Sequence, residues 1–143
     1  MKKIVCLAVI ALMIGCAAFG AKKVAIKPAD VASLKGTWQG MLNLGEYEGG
    51  GTTPATVEIL NDKPPVKVRL TLQNVPQVTA QAFAMSAGKQ SFEGDNGAIT
   101  SQGTIMWTGQ AGNFFEISRN TAGQLDAWYF FRGMKGEGTF TKK

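Results

Sequence analysis

The clearest signal in the chain is an alternation of period two. Val66-Lys67-Val68-Arg69-Leu70-Thr71-Leu72-Gln73 sets apolar and polar side chains in strict succession over eight residues, which gives an extended strand one apolar and one polar face. A helix would scatter the same residues around its circumference. Residues 36–44 put Trp38, Leu42 and Leu44 on one face, and residues 55–60 direct Val57 and Ile59 away from Thr56 and Glu58. Asn61-Asp62-Lys63-Pro64-Pro65 lies between two of these runs, and its prolines require a loop longer than a tight hairpin. Further strands are expected at 77–85, 89–93, 98–108, 113–119, 124–132 and 136–142, with turns at Asp95-Asn96-Gly97 and Asn120-Thr121-Ala122-Gly123. The helical signal is confined to 30–35, where Asp30 is placed to cap a single turn.

Strands that recur every 8–12 residues or so, with Gly, Asn and Asp at the turns, indicate a sandwich or a barrel. The expected fold is all-β, a small antiparallel meander β-barrel of about eight strands over residues 36–143, with a β-sandwich as the alternative. Sixteen of the eighteen glycines fall within residues 22–143, as strongly coiled strands and barrel corners require.

The first twenty residues have a different pattern. Lys2 and Lys3 precede an uninterrupted apolar run from Ile4 to Ile14, and small residues follow, the order of a secretory signal. Eleven apolar residues are too few for a membrane span, which needs about 20, and no later run is longer. Two processing readings remain open. Leu12-Met13-Ile14-Gly15-Cys16 resembles a bacterial lipoprotein box, with Met13 where that pattern usually has Leu. The resemblance implies a signal over 1–15, a lipidated Cys16 and, with Ala17 next, an outer-membrane anchor. Alternatively, Ala18-Phe19-Gly20 is a small-x-small site, the signal covers 1–20, and the mature protein is free in the periplasm or secreted.

Charge and composition exclude more than they select. The chain has no histidine, and its two cysteines, Cys6 and Cys16, both precede the expected mature domain. Imidazole-based nucleophile systems and soft-ligand metal sites therefore cannot be built there. Residues 22–143 carry 13 Lys and Arg against 10 Asp and Glu, and five of the basic residues stand at the two ends. No basic stripe with interleaved aromatics is present, so nucleic acid is not an expected partner. Lys22, Lys23 and Lys27 belong to an expected tether and short turn over 21–35.

Leu34-Lys35-Gly36-Thr37-Trp38-Gln39-Gly40, a short capped turn leading into a Gly-x-Trp strand at the head of a meander, resembles the start of the lipocalin-like and avidin-like barrels, the calycin group. The resemblance implies that Gly36 and Trp38 close one end of the barrel and that a late arginine, Arg132 or Arg119, lies across the Trp. The middle lipocalin motif, a Thr-Asp-Tyr-type turn, is absent.

Three features are candidates for function. Residues 45–54 form a glycine-rich loop placed as a flap over the barrel mouth, with Glu46, Tyr47 and Glu48 at its centre, too few oxygens for a calcium ion. Residues 124–132 are apolar on both faces: Leu125, Ala127, Tyr129 and Phe131 share one, Asp126, Trp128, Phe130 and Arg132 the other. The inner set, with Trp107 and Phe83, is expected to hold a small apolar or amphipathic ligand, and Trp128 and Phe130 offer a surface for self-association or a partner. Third, Glu58, Glu93, Glu116, Asp126 and Glu137 include no pair whose spacing marks a glycosidase. The expectation is an exported, noncatalytic cell-envelope binding barrel without cofactor or metal. The alternative is a structural or protein-interaction envelope lipoprotein with a solid barrel core.

Overall fold

A computed structural model describes residues 21–45 and 51–143. The signal segment, Cys16 and the flap residues Glu46, Tyr47 and Glu48 lie outside the described residues. Nine strands are present among the described residues: β1 (Lys23–Val24), β2 (Gly36–Asn43), β3 (Thr52–Ile59), β4 (Val66–Val75), β5 (Gly88–Ile99), β6 (Ile105–Thr108), β7 (Phe114–Asn120), β8 (Leu125–Phe131) and β9 (Met134–Lys142). Each of β2 to β9 pairs antiparallel with its sequence neighbour, and β9 returns to pair with β2 through Gly40↔Phe140 and Leu42↔Gly138. The result is a closed eight-stranded meander barrel, which leaves no full-length edge open to aggregation. The short β1 lies outside the circle and pairs with the end of β7 through Lys23↔Asn120 and Val24↔Arg119.

The alternation expected from the sequence sets the inner face. Val57 and Ile59 of β3, Val66, Val68, Leu70 and Leu72 of β4, Ile117 of β7, Leu125 of β8 and Phe140 of β9 are buried. Arg69 faces outward, bonded to Glu93 at 2.8 Å and Glu58 at 3.5 Å on the flanking strands. The polar residues of β4 are therefore outside, and its apolar residues face the lumen.

One end of the barrel is sealed by the chain before β2. A 3-10 turn (Pro28–Asp30) runs into α1 (Val31–Leu34), which buries Val31 and Leu34 beneath the strands, with Ile26 beside them. Trp38 is buried above α1, and its indole N–H donates to the Leu34 carbonyl at 2.8 Å. The segment 21–35 is thus docked on the barrel, with its lysines exposed. Asp30 acts one turn earlier than expected: its carboxylate accepts the Lys27 amide at 2.8 Å, while α1 gets no side-chain cap from it. Gly36 sits at φ +124°, a conformation that L side chains rarely adopt, so the first residue of Gly-x-Trp has a backbone reason to be glycine.

Two expectations about the middle of the chain are corrected. Residues 77–85 are not a strand: α2 (Gln77–Ala82) follows Pro76 and packs Thr79 and Ala80 inward while Gln77, Val78 and Gln81 face solvent. Pro76 sets the first turn, and Ala and Gln are better helix than strand formers. Asp95-Asn96-Gly97 is not a hairpin turn. The pairs Val66↔Gly97 and Val68↔Gly94 set two steps on β4 against three on β5, so this sequence is a β-bulge within one long strand. The reversal comes later, at Ser101-Gln102-Gly103, where Gly103 adopts φ +72° and donates its amide to the Thr100 carbonyl.

Candidate functional site

The end opposite Trp38 carries the end of β2 and the start of β3, α2 and its following segment, the β6–β7 loop and the β8–β9 turn. A cavity of about 320 Å³ opens there, near the lower limit for small-molecule sites, about 300 Å³. Its walls include Leu42, Val68, Leu70, Leu72, Phe92, Trp107, Phe115, Tyr129, Phe131 and Met134, so the lining is predominantly apolar and aromatic.

Register explains why the rings meet. Trp107 and Phe115 are cross-strand partners on β6 and β7, with centroids 5.5 Å apart. The Trp107 indole crosses β5 to donate its N–H to the Val66 carbonyl at 2.6 Å. It can do so because Gly94 and Gly97 lie beneath the ring, where a Cβ would collide with it. Tyr129 is opposite Gly136 on β9, and its ring occupies the space a side chain at 136 would need. Phe92 and Phe131, on the non-adjacent strands β5 and β8, come together at 5.4 Å across the mouth.

The seam between β5 and β6 is short. Only Ala98↔Met106 and Ile99↔Ile105 pair, although β5 runs twelve residues, and Asn96 adds one side-chain bond to the Thr108 carbonyl at 2.8 Å. Glu93, Asn96, Thr108, Gly109, Gln110 and Asn113 stand where the strands diverge, forming a polar rim to the apolar interior.

Arg132 ties this rim together. Residues 132 and 133 have φ of +49° and +85° within the turn joining Phe131↔Met134, the two-residue type whose twist suits a hairpin. The Arg132 guanidinium donates to the Phe83 and Ala84 carbonyls at 3.2 and 2.8 Å, its amide donates to Asn113 Oδ1 at 2.9 Å, and it lies 5.4 Å from the Phe131 ring centroid. The three non-glycine residues with left-handed φ among the described residues, Ala84, Ala111 and Arg132, are all at this end. Such backbone costs about 1–2 kcal/mol per residue, and it persists where surrounding contacts hold it.

Of the four residues expected to hold a ligand, Trp107, Tyr129 and Phe131 line the cavity. Phe83 does not; it belongs to the segment after α2 that Arg132 holds. Arg132 itself, expected across Trp38, is at the opposite end, because β8 runs away from the sealed end before the turn. Lys142 takes that place: its ammonium is 5.6 Å from the Trp38 ring and donates to the Ser33 carbonyl at 2.7 Å. Arg119 lines the same groove. Sequence reasoning missed Leu42, Phe92, Phe115 and Met134 as walls. Phe92 carried a legible signal, since it alternates with Gln90 and Gly94.

Tyr129 is 5% exposed, and its hydroxyl has no hydrogen-bond partner among the described residues. Burial pushes its phenol well above the ordinary range, so it stays protonated. The five carboxylates singled out earlier lie on outward-facing positions: Glu58 and Glu93 flank Arg69, and Glu116, Asp126 and Glu137 lie on β7 to β9. Among the described residues no cluster of three potential metal ligands occurs. On the outside of β8, Trp128 is 45% exposed between Glu116 and Glu137 in register, with the Phe114 ring 4.9 Å away and Phe130 stacked on Phe114 at 6.0 Å.

Fold and site together define a closed eight-stranded antiparallel β-barrel, plugged at one end and carrying an apolar cavity at the other. No family model matches the chain, and no curated protein or solved structure resembles it at a significant level.

Proposed function

We propose that the chain is an exported, noncatalytic binding barrel of the cell envelope, calycin-like in design, that takes a small apolar or amphipathic ligand through its open end. The observation that carries this reading is the cavity of about 320 Å³ walled by Trp107, Phe115, Tyr129 and Phe131. A barrel of eight strands is just wide enough either to be filled by its own side chains or to hold one small ligand. Here glycines at 94, 97 and 136 let the rings lie flat against the wall. Burying an apolar ligand there yields about 25 cal/mol for each Å² removed from water.

A second reading rests on Trp128, which is largely exposed on the outer face beside Phe114 and Phe130. A protein partner or a second copy would cover it, because aromatic side chains dominate interface energetics.

Native and denaturing mass spectra of the protein taken from its own host's membrane and soluble envelope fractions test both. Extra mass retained only in the native spectrum supports the binding barrel. Its absence, with dimers or a second protein retained, favours the interaction reading. The denatured mass also decides the anchor: a chain that begins at Cys16 and carries acyl groups is a lipoprotein, and one that begins near Ala21 is free.

A further inference from the structure

The charged groups of the barrel are unevenly placed, and the sealed end gathers cations from both ends of the chain. Thr121, in the turn between β7 and β8, donates its amide to the Lys22 carbonyl, and Lys23 and Val24 pair with Asn120 and Arg119. From the C-terminal side, the Lys142 ammonium donates to the Ser33 carbonyl at 2.7 Å and the Lys143 amide to the Thr37 carbonyl at 3.0 Å. Lys27 and Lys35 bracket the 3-10 turn and α1 that lie between these points. The six lysines are exposed, and they surround a groove lined by Ser33, Arg119, Thr121 and Lys142.

Little negative charge offsets them. The acids on the same segments and on β8 beside them are Asp30 and Asp126, and both are engaged: Asp30 accepts the Lys27 amide, and Asp126 accepts from Asn120 and Thr139. The ion pairs among the described residues are those of Arg69 with Glu58 and Glu93, so no carboxylate there neutralises any of the seven cations. At the open end, by contrast, Lys89 and Lys135 share their strands with Glu93 and Glu137, and the Arg132 guanidinium is tied to two carbonyls.

A dense, uncompensated cationic surface gains most from an extended anionic one, at about 1 kcal/mol for each Lys or Arg brought to an anionic membrane. Trp38, the aromatic at this end, is buried, so no ring is offered to a nucleic-acid base. The chain also enters the barrel here. Five residues separate Ala21 from Cys16, a reach of at most about 17 Å. We infer that the sealed end is a docking surface for anionic lipid headgroups, which holds the barrel with its mouth turned away from the membrane. This step rests on the envelope reading above and not on the occupancy of the cavity.

The lysines themselves serve as probes. The exported chain, anchored or free, is treated with an amine-acylating reagent beside vesicles of phosphatidylcholine alone and of phosphatidylcholine mixed with phosphatidylglycerol, lipids that have no primary amine, and each site is read by mass spectrometry. Lys22, Lys27, Lys35, Lys142 and Lys143 are expected to lose labelling on the anionic vesicles only, while Lys89 and Lys135 label as in solution. About 1 M salt, where the screening length falls to about 3 Å, is expected to restore labelling. The variant with Lys23→Gln, Lys27→Gln and Lys35→Gln, all exposed positions, is expected to regain labelling at Lys22, Lys142 and Lys143. Where the exported chain carries no acyl group, that variant is also expected to bind the anionic vesicles about a hundredfold more weakly, at roughly fivefold for each lysine. Lys89→Gln with Lys135→Gln is expected to change neither readout. Labelling that is alike on both vesicles, shielding of Lys89 and Lys135 instead, or a triple variant shielded as fully as the parent overturns the inference. The envelope reading fails separately, through a denatured mass that retains the whole signal segment, and the binding reading through a native mass without a bound small molecule.

Discussion

Replacing Gly136 by alanine tests how the cavity wall is built. A Cβ at 136 would overlap the Tyr129 ring and the Asn43 carbonyl oxygen at once. The ring lines the cavity beside Leu42, Phe131 and Met134, so it can yield only by leaving its seat on β9 and turning into that space. The carbonyl belongs to backbone beside the Asn43↔Glu137 pair, so relief there means shifting the β2–β9 ladder that closes the barrel. Overpacking of this kind costs about 1–3 kcal/mol. Alanine returns only about 0.4–1 kcal/mol by restricting the unfolded chain. The expected net loss is about 1.3 kcal/mol, which lowers Tm by about 5 °C for a domain of this size. The matched control is Gly51→Ala, where nothing lies within 4 Å of the added methyl and φ is not left-handed. That change is expected to be neutral or to stabilise by up to about 1 kcal/mol. Urea unfolding of both variants with a common m-value measures the difference. Gly136→Ala as stable as Gly51→Ala would refute the seating of the Tyr129 ring against β9.

Three further outcomes follow from named contacts. Burial raises the Tyr129 phenol above its ordinary pKa of 10.0, so its contribution to stability is intact below about pH 10 and is lost as pH rises beyond that; in a Tyr47→Phe background, the remaining phenolate absorbance should appear only together with unfolding. Trp38→Phe leaves the Leu34 carbonyl without its 2.8 Å donor in a buried site and is expected to cost about 1–3 kcal/mol in denaturant unfolding, with Trp38→Ala at about 3–5 kcal/mol. Arg132→Ala frees the Phe83 and Ala84 carbonyls, so amides over 79–85 should exchange faster in hydrogen–deuterium measurements while global stability changes by less than about 1 kcal/mol.

Local pattern was sufficient for the all-β class and the inward faces of β3 and β4, because each depends on side-chain period, whereas the burial of Trp38 at one end was implied by the Gly-x-Trp resemblance. The split of residues 124–132 into an inner and an outer aromatic face was legible for the same reason. Local pattern failed where one sequence suits two structures. Asp95-Asn96-Gly97 satisfies a hairpin turn and a β-bulge equally, and β4 pairing across it selected the bulge. Residues 77–85 alternate well enough for a strand, yet Pro76 and the burial of Thr79 and Ala80 made them a helix at the open end.

The function-bearing features divide the same way. The sequence alone determined which aromatic and glycine residues were present, and period two put Tyr129 on the face of its strand opposite Trp128. Tertiary structure decided that Gly94, Gly97 and Gly136 lie under rings, that Lys142 rather than Arg132 covers Trp38, and that the Tyr129 hydroxyl is buried without a hydrogen-bond partner among the described residues. Those are consequences of register between strands far apart in the chain. Register is set by closing the whole barrel at once, so no local stretch of sequence contains it.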